Sequence, residues 1–182
     1  MNVGHTMMDE DTLAIAGLHE AGHALAALHF GGRIYGAWIV ARVRGTRTHI
    51  RGGCRHDGPG IGATGLVIRL AGAGAEVLHE GQPSPASWWR KFYTSAKGDW
   101  GEAQPLIVAL AEARQTTRDD VIAEAQAQVI AILTHRWDRV QAVARELAAK
   151  RYLTGTDITK VIRTVRKTSP RPRPDRRAWP AT

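Results

Sequence analysis

Apolar residues recur at helical spacing from residue 13 onward: Leu13, Ile15, Ala16, Leu18, Ala21, Leu25 and Leu28 form a run that Gly31-Gly32 end, which predicts a first helix. The pattern then changes. Ile34-Tyr35-Gly36-Ala37-Trp38-Ile39-Val40-Ala41-Arg42-Val43 is rich in β-branched and aromatic residues and reads as a strand, with Thr46 to Arg51 a second strand or its return. Residues 65 to 80 read as helix, followed by a loop holding Pro83, Pro85, Trp88 and Trp89. Pro105 sets the start of a further helix near Gln104, with the proline in its first turn, or else a kink there. From about Thr117 to Arg151 the spacing predicts two helices breaking near His135-Arg136. Val121, Ala125, Val129, Ile132 and Leu133 line the first, and Val140, Val143, Ala144 and Leu147 the second. Thr156 is the expected cap of a last short helix through Ile158, Val161, Ile162 and Val165. The fold class is mainly α with a small β-sheet (α+β).

A chain of 182 residues is enough for one compact domain, expected over residues 1–168. Charge marks two regions of it. The formal net charge is +8, and residues 33 to 55 carry Arg33, Arg42, Arg44, Arg47, Arg51 and Arg55 without an acid. Beyond Val165, six bases stand against one acid between alternating prolines, so residues 169–182 are expected to form an extended, disordered basic tail. The single cysteine, Cys54, excludes an intrachain disulfide framework; the glycines at 52, 53, 58 and 60 around it read as a mobile turn. No stretch of about 18 uncharged apolar residues and no basic, apolar leader occurs, so the expectation is a soluble, cytoplasmic protein without a membrane span.

Chemistry concentrates in His19-Glu20-Ala21-Gly22-His23. Residues four apart on a helix share a face, so both imidazoles can reach one cation, as in the HExxH pattern of zinc peptidases. Glu20 falls beside that site, placed to take a proton from water rather than to act as a ligand.

The wider chain resembles the FtsH-type ATP-dependent zinc metalloproteases. HEAGHALAALHFGGRI is similar to their active-site helix, residues 65 to 81 to their helix with an alanine-glutamate pair, and Thr94 to Ala103 to their threonine-glycine-alanine segment leading to an aspartate. The segments come in the family's order, and the resemblance covers residues 12 to 165. It implies a largely α-helical peptidase domain that binds Zn2+ through His19, His23 and Asp99, with Glu20 as the catalytic base. It further implies that Glu76 orients a ligating imidazole through its other ring nitrogen. The strand beside the metal helix, at Ile39, Val40, Ala41, Arg42 and Val43, would pair with an extended polypeptide substrate. The chain departs from the family where Ser95 replaces a glycine and an extra residue precedes Asp99. With Pro105 close behind, Asp99 is expected at a helix entrance and Glu102 is the alternative third ligand. No GxxxxGK[ST] phosphate loop is present, so the expectation is a stand-alone peptidase that takes flexible segments or borrows an ATPase in trans, with homo-oligomerisation left open. Two alternatives remain: a catalytically weak relative that binds a partner as a regulator, and a basic nucleic-acid-binding protein. The last lacks a helix-turn-helix, zinc-finger or RNA-binding aromatic signature.

Overall fold

The computed structural model describes residues 10–44, 47–81 and 83–165. The basic tail therefore lies outside the described residues. In chain order the elements are α1 (Glu10–His29), β1 (Ile34–Arg44), β2 (Arg47–His56), α2 (Gly62–His79), α3 (Pro85–Tyr93), α4 (Lys97–Arg114), α5 (Arg118–His135), α6 (Trp137–Lys150), β3 (Tyr152–Thr154) and α7 (Gly155–Thr164). The architecture is mainly helical with one small antiparallel sheet, an α+β fold.

α1 is the central helix, and residues Gly17 to Ala27 are buried without a break. A helix enclosed on all sides must be small or apolar on all sides. Gly17 and Gly22 meet that demand. A Cβ on Gly17 would lie 2.6 Å from the Ala144 carbonyl oxygen of α6, and one on Gly22 would lie 2.9 Å from Ala75 Cβ of α2. Gly31, at φ 80°, ends the helix in the left-handed region, and the Gly32 N–H donates to the Ala27 carbonyl at 2.9 Å. The core is one cluster in which Leu25, Leu66, Ile68, Leu70, Leu133 and Leu147 are fully buried.

Several elements differ from the sequence expectation. The Pro83–Trp89 segment is not loop throughout: Ser84 caps α3 by accepting from the Ser87 N–H, and Pro85 enters the first turn, where its missing N–H removes no hydrogen bond. Trp88 and Phe92 are buried through this helix. α4 starts at Lys97, ahead of Gln104, and Pro105 lies in its interior. The hydrogen bond that Pro105 cannot make is the one to Gly101, which is exposed. α7 is capped by Thr154, two residues earlier than expected, with its hydroxyl accepting from the Asp157 N–H. Gly52 and Gly53 lie within β2, not in a mobile turn.

The strand order is β2-β1-β3. β1 pairs antiparallel with β2 from Ile34↔His56 to Arg44↔Arg47, and with β3 from Gly36↔Thr154 to Trp38↔Tyr152. β3 covers β1 only at Gly36–Trp38, with the Ile39 N–H donating to the Arg151 carbonyl just beyond. Over Val40–Val43, β2 is the one strand paired with β1 among the described residues. Among the described residues, no helix is long and apolar enough to cross a membrane.

Candidate metal centre

His19 and His23 stand one turn apart on α1 with their Nε2 atoms 3.1 Å apart. Each ring is fixed from behind. The His23 Nδ1–H donates to the Ile68 carbonyl of α2 at 2.8 Å, and the His19 Nδ1–H donates to Glu76 Oε1 at 2.7 Å. A carbonyl can only accept, so the proton of neutral His23 sits on Nδ1 and its Nε2 presents a lone pair; the Glu76 carboxylate imposes the same on His19. Two lone pairs that converge at this distance repel unless a cation lies against both. Asp99, in the first turn of α4, adds an anion: its Oδ2 lies 2.9 Å from His19 Nε2 and 3.6 Å from His23 Nε2.

These separations fit a metal ion. Zinc bonds of about 2.0 to 2.1 Å at tetrahedral angles hold donor atoms about 3.3 Å apart. His19, His23 and Asp99 form the one group of this kind among the described residues, with ligand atoms within 4.8 Å of one another. Gly72 of α2 keeps the space clear, since a Cβ there would lie 2.5 Å from both Nε2 atoms. Electrostatics agree with the donor set. Burial disfavours an imidazolium at His19, yet Asp99 and Glu76 outweigh it and raise its pKa to about 10. Burial also opposes ionisation of Asp99, but the two imidazoles hold its carboxyl far below the usual range. Without a metal, a proton takes the cation's place.

Glu20 lies on the same helix, 6 % exposed, against β2. A Cβ on Gly52 would collide with Glu20 Oε1 and lie 2.8 Å from its Cδ, so only glycine leaves the carboxylate its room. Burial raises the Glu20 pKa, against the opposing pull of His23 and His19. Cys54, two residues along the same face of β2, has its thiol pushed up to about 12 by burial and the Glu20 charge, so it stays protonated.

Glu76 is 1 % exposed and holds three partners. Besides His19, its Oε2 accepts from the Ser95 hydroxyl at 2.7 Å and lies 3.0 Å from Lys91 Nζ, which also reaches Glu80 Oε1 at 2.7 Å. Burial opposes the charge, and His19, Ser95 and Lys91 nevertheless keep the carboxyl below its ordinary pKa. Trp100, beside Asp99, stacks on Phe92 of α3 with ring centroids 4.2 Å apart, which fixes the entrance of α4.

No family model matches this chain, and no curated protein sequence matches it.

The structure brings His19, His23, Asp99, Glu20 and Glu76 together. Glu102 is exposed and faces Arg69 Nε at 3.4 Å, outside the ligand group. Ile39 is buried on the α1 side of the sheet, Val40 and Arg42 are exposed on the other, and Ala41 is half-buried; the Val43 side chain lies outside the described residues. Sequence reading missed Ser95, Lys91, Gly72 and Gly52. Ser95 looked like a departure from a pattern, and its partner lies 19 residues away on another helix.

Proposed function

We propose that the protein is a zinc-dependent peptidase that hydrolyses peptide bonds of flexible or unfolded polypeptides, built like the peptidase domain of FtsH-type proteases. The observation that carries the reading is the convergence of two imidazole lone pairs and one carboxylate, with a buried glutamate one residue along the same helix. His19, His23 and Asp99 would hold the ion. When bound, it supplies Lewis acidity, lowering the pKa of a water in its open position and polarising a carbonyl. Glu20 takes the proton of the attacking water at its carboxylate and returns it to the leaving amine. Its raised pKa brings it closer to neutrality, where a base can both accept and release a proton. Glu76 holds the His19 ring in one tautomer and orientation. The outer edge of β2, next to Glu20, offers main-chain groups to an extended substrate. Substrates enter as flexible segments or are delivered by an ATPase in trans, and the lone cysteine suits a cytoplasmic location.

Metal analysis of the purified protein and hydrolysis of casein test this reading. About one zinc per chain is expected, lost in His23→Ala. Glu20→Gln keeps zinc and fold while hydrolysis falls by at least about 100-fold. Metal that persists after replacement of both histidines overturns the site. Equal inactivity of wild type and Glu20→Gln on several unfolded proteins overturns the enzyme and favours a partner-binding regulator.

A further inference from the structure

The sheet has a second face that the metal centre does not use. Directly opposed residues of an antiparallel pair share a face. Ala37, Ile39 and Ala41, opposite Cys54, Gly52 and Ile50, therefore look toward α1, while Trp38, Val40 and Arg42, opposite Gly53, Arg51 and His49, look away. On this outward face two rings pack against strand backbone. A Cβ on Gly53 would collide with the Trp38 indole, 2.7 Å from both Cε2 and Cη2, so the ring rests on the β2 backbone. A Cβ on Gly36 would lie 3.2 Å from the Tyr152 hydroxyl and 3.5 Å from its Cε2, so the hydroxyl end of that ring packs against β1. Trp38 and Tyr152 are cross-strand neighbours, 37 % and 55 % exposed. A ring packed against a sheet on one side offers the other to solvent.

Cations surround the rings. Arg42, Arg51 and Arg55 are exposed, and no carboxylate among the described residues lies within ion-pair distance of them. Arg55 also stands 5.6 Å from the centroid of Tyr35, another exposed ring. Asp57, beside that ring, is already engaged by the Tyr35 hydroxyl at 2.9 Å. We propose that this outward face binds single-stranded nucleic acid, with bases stacking on Trp38 and Tyr152 and phosphates held by Arg42, Arg51 and Arg55. A single strand supplies both halves of the complement, a π surface and an anion on every nucleotide. An acidic polypeptide would use the guanidinium groups and leave the rings bare. A second copy would set one cationic face against another in a chain of net charge +8. The proposal does not depend on the peptidase reading, since the two sites occupy opposite faces of the sheet.

Fluorescence anisotropy of a labelled 12-nucleotide oligouridine with the full chain, over a salt series, tests it. Trp38→Ala and Tyr152→Ala should each weaken binding at least about five-fold, with Trp38→Phe restoring most of the loss. Arg51→Ala and Arg55→Ala together should lower the slope of log K against log salt by about 1.4. The basic residues after Val165 contribute equally to wild type and variants, so the ring variants isolate the sheet. Thermal melts report whether each variant folds; should Trp38→Ala fail to fold, Tyr152→Ala and Trp38→Phe decide. Unchanged affinity in the folded ring variants overturns the proposal, as does equal affinity for a blunt duplex of the same length. Binding of polyglutamate with the same dependence on Trp38 overturns it in favour of a protein partner.

Discussion

Gly52 and Gly53 are neighbours in the chain and point to opposite faces of β2. Gly52 leaves room for the Glu20 carboxylate on the side of α1, and Gly53 leaves room for the Trp38 indole on the other. The inner face packs against α1, where His19, Glu20, His23 and Glu76 are buried and the imidazoles and Glu76 are held by hydrogen bonds reaching into α2 and beyond. The outer face is open, and its cations Arg42, Arg51 and Arg55 have no carboxylate among the described residues against them. One strand thus supports two chemistries because side chains alternate with a period of two. A buried polar network must be satisfied group by group, whereas an exposed aromatic-cationic face needs only shape and charge.

The largest effect should come from closing the space in front of the imidazoles. Gly72→Ala places a methyl 2.5 Å from both Nε2 atoms, so metal analysis should find binding abolished, a greater loss than the roughly 10- to 100-fold typical of removing a supporting hydrogen bond. Zinc at wild-type affinity in this variant would mean that the ion does not meet both rings. Next comes Gly52→Ala, which displaces Glu20 while leaving the ligands alone. Casein hydrolysis should fall about 100-fold with zinc retained, while oligouridine binding holds. Gly53→Ala should do the reverse. Equal effects of the two substitutions on both assays would erase the distinction between the faces.

The contrast between these glycines also shows what could be read from sequence. His19, Glu20 and His23 are legible because helical spacing alone puts them on one face. Asp99 and Glu76 needed a resemblance, since their distances from His19 in the chain, 80 and 57 residues, carry no local signal. The break between α5 and α6 at Arg136 was legible from the loss of apolar periodicity. Gly52 and Gly53 were misread because a glycine pair has the same composition in a turn and in a strand crowded on both faces. β3 went unread for a related reason: three residues give no periodicity, and its pairing with Gly36–Trp38 is set by tertiary contact. The outward rings were visible as residues, but their packing against strand backbone is a property of register.

A smaller effect tests how the inner face is supported. Ser95 and Lys91 reach the candidate ligand His19 through Glu76, fixing which oxygen faces that ring. Ser95→Ala should weaken zinc about ten-fold and Ser95→Thr, which keeps the hydroxyl, should restore it. Lys91→Met should act in the same direction, because it removes the cation beside a buried carboxylate. Neither change should alter oligouridine binding. Full zinc affinity in both Ser95→Ala and Lys91→Met would leave Glu76 fixed by packing alone.

The two faces should also differ in their response to pH. Stacking and arginine contacts carry no proton exchange near neutrality, so oligouridine affinity should be flat from about pH 7 to about 8.5, below the range in which uracil and tyrosine rings lose protons. The inner face titrates. In metal-free protein His19 has its pKa raised from 6.5 to about 10, so the stability it contributes is fully present below 6.5 and is lost as pH rises through about 10. Asp99 has the opposite sign: its depressed pKa contributes stability above 3.8 that is lost as pH falls through its folded value. Melting temperatures of chelator-treated protein should therefore decline by roughly a few degrees between pH 6.5 and 10. Zinc-loaded protein should not share that decline, because protons compete with the ion for the same imidazole nitrogens and their departure strengthens binding. Parallel pH profiles for the two forms would show that proton and ion do not share the Nε2 atoms of His19 and His23, and the inner face would then be a buried ion pair without a metal.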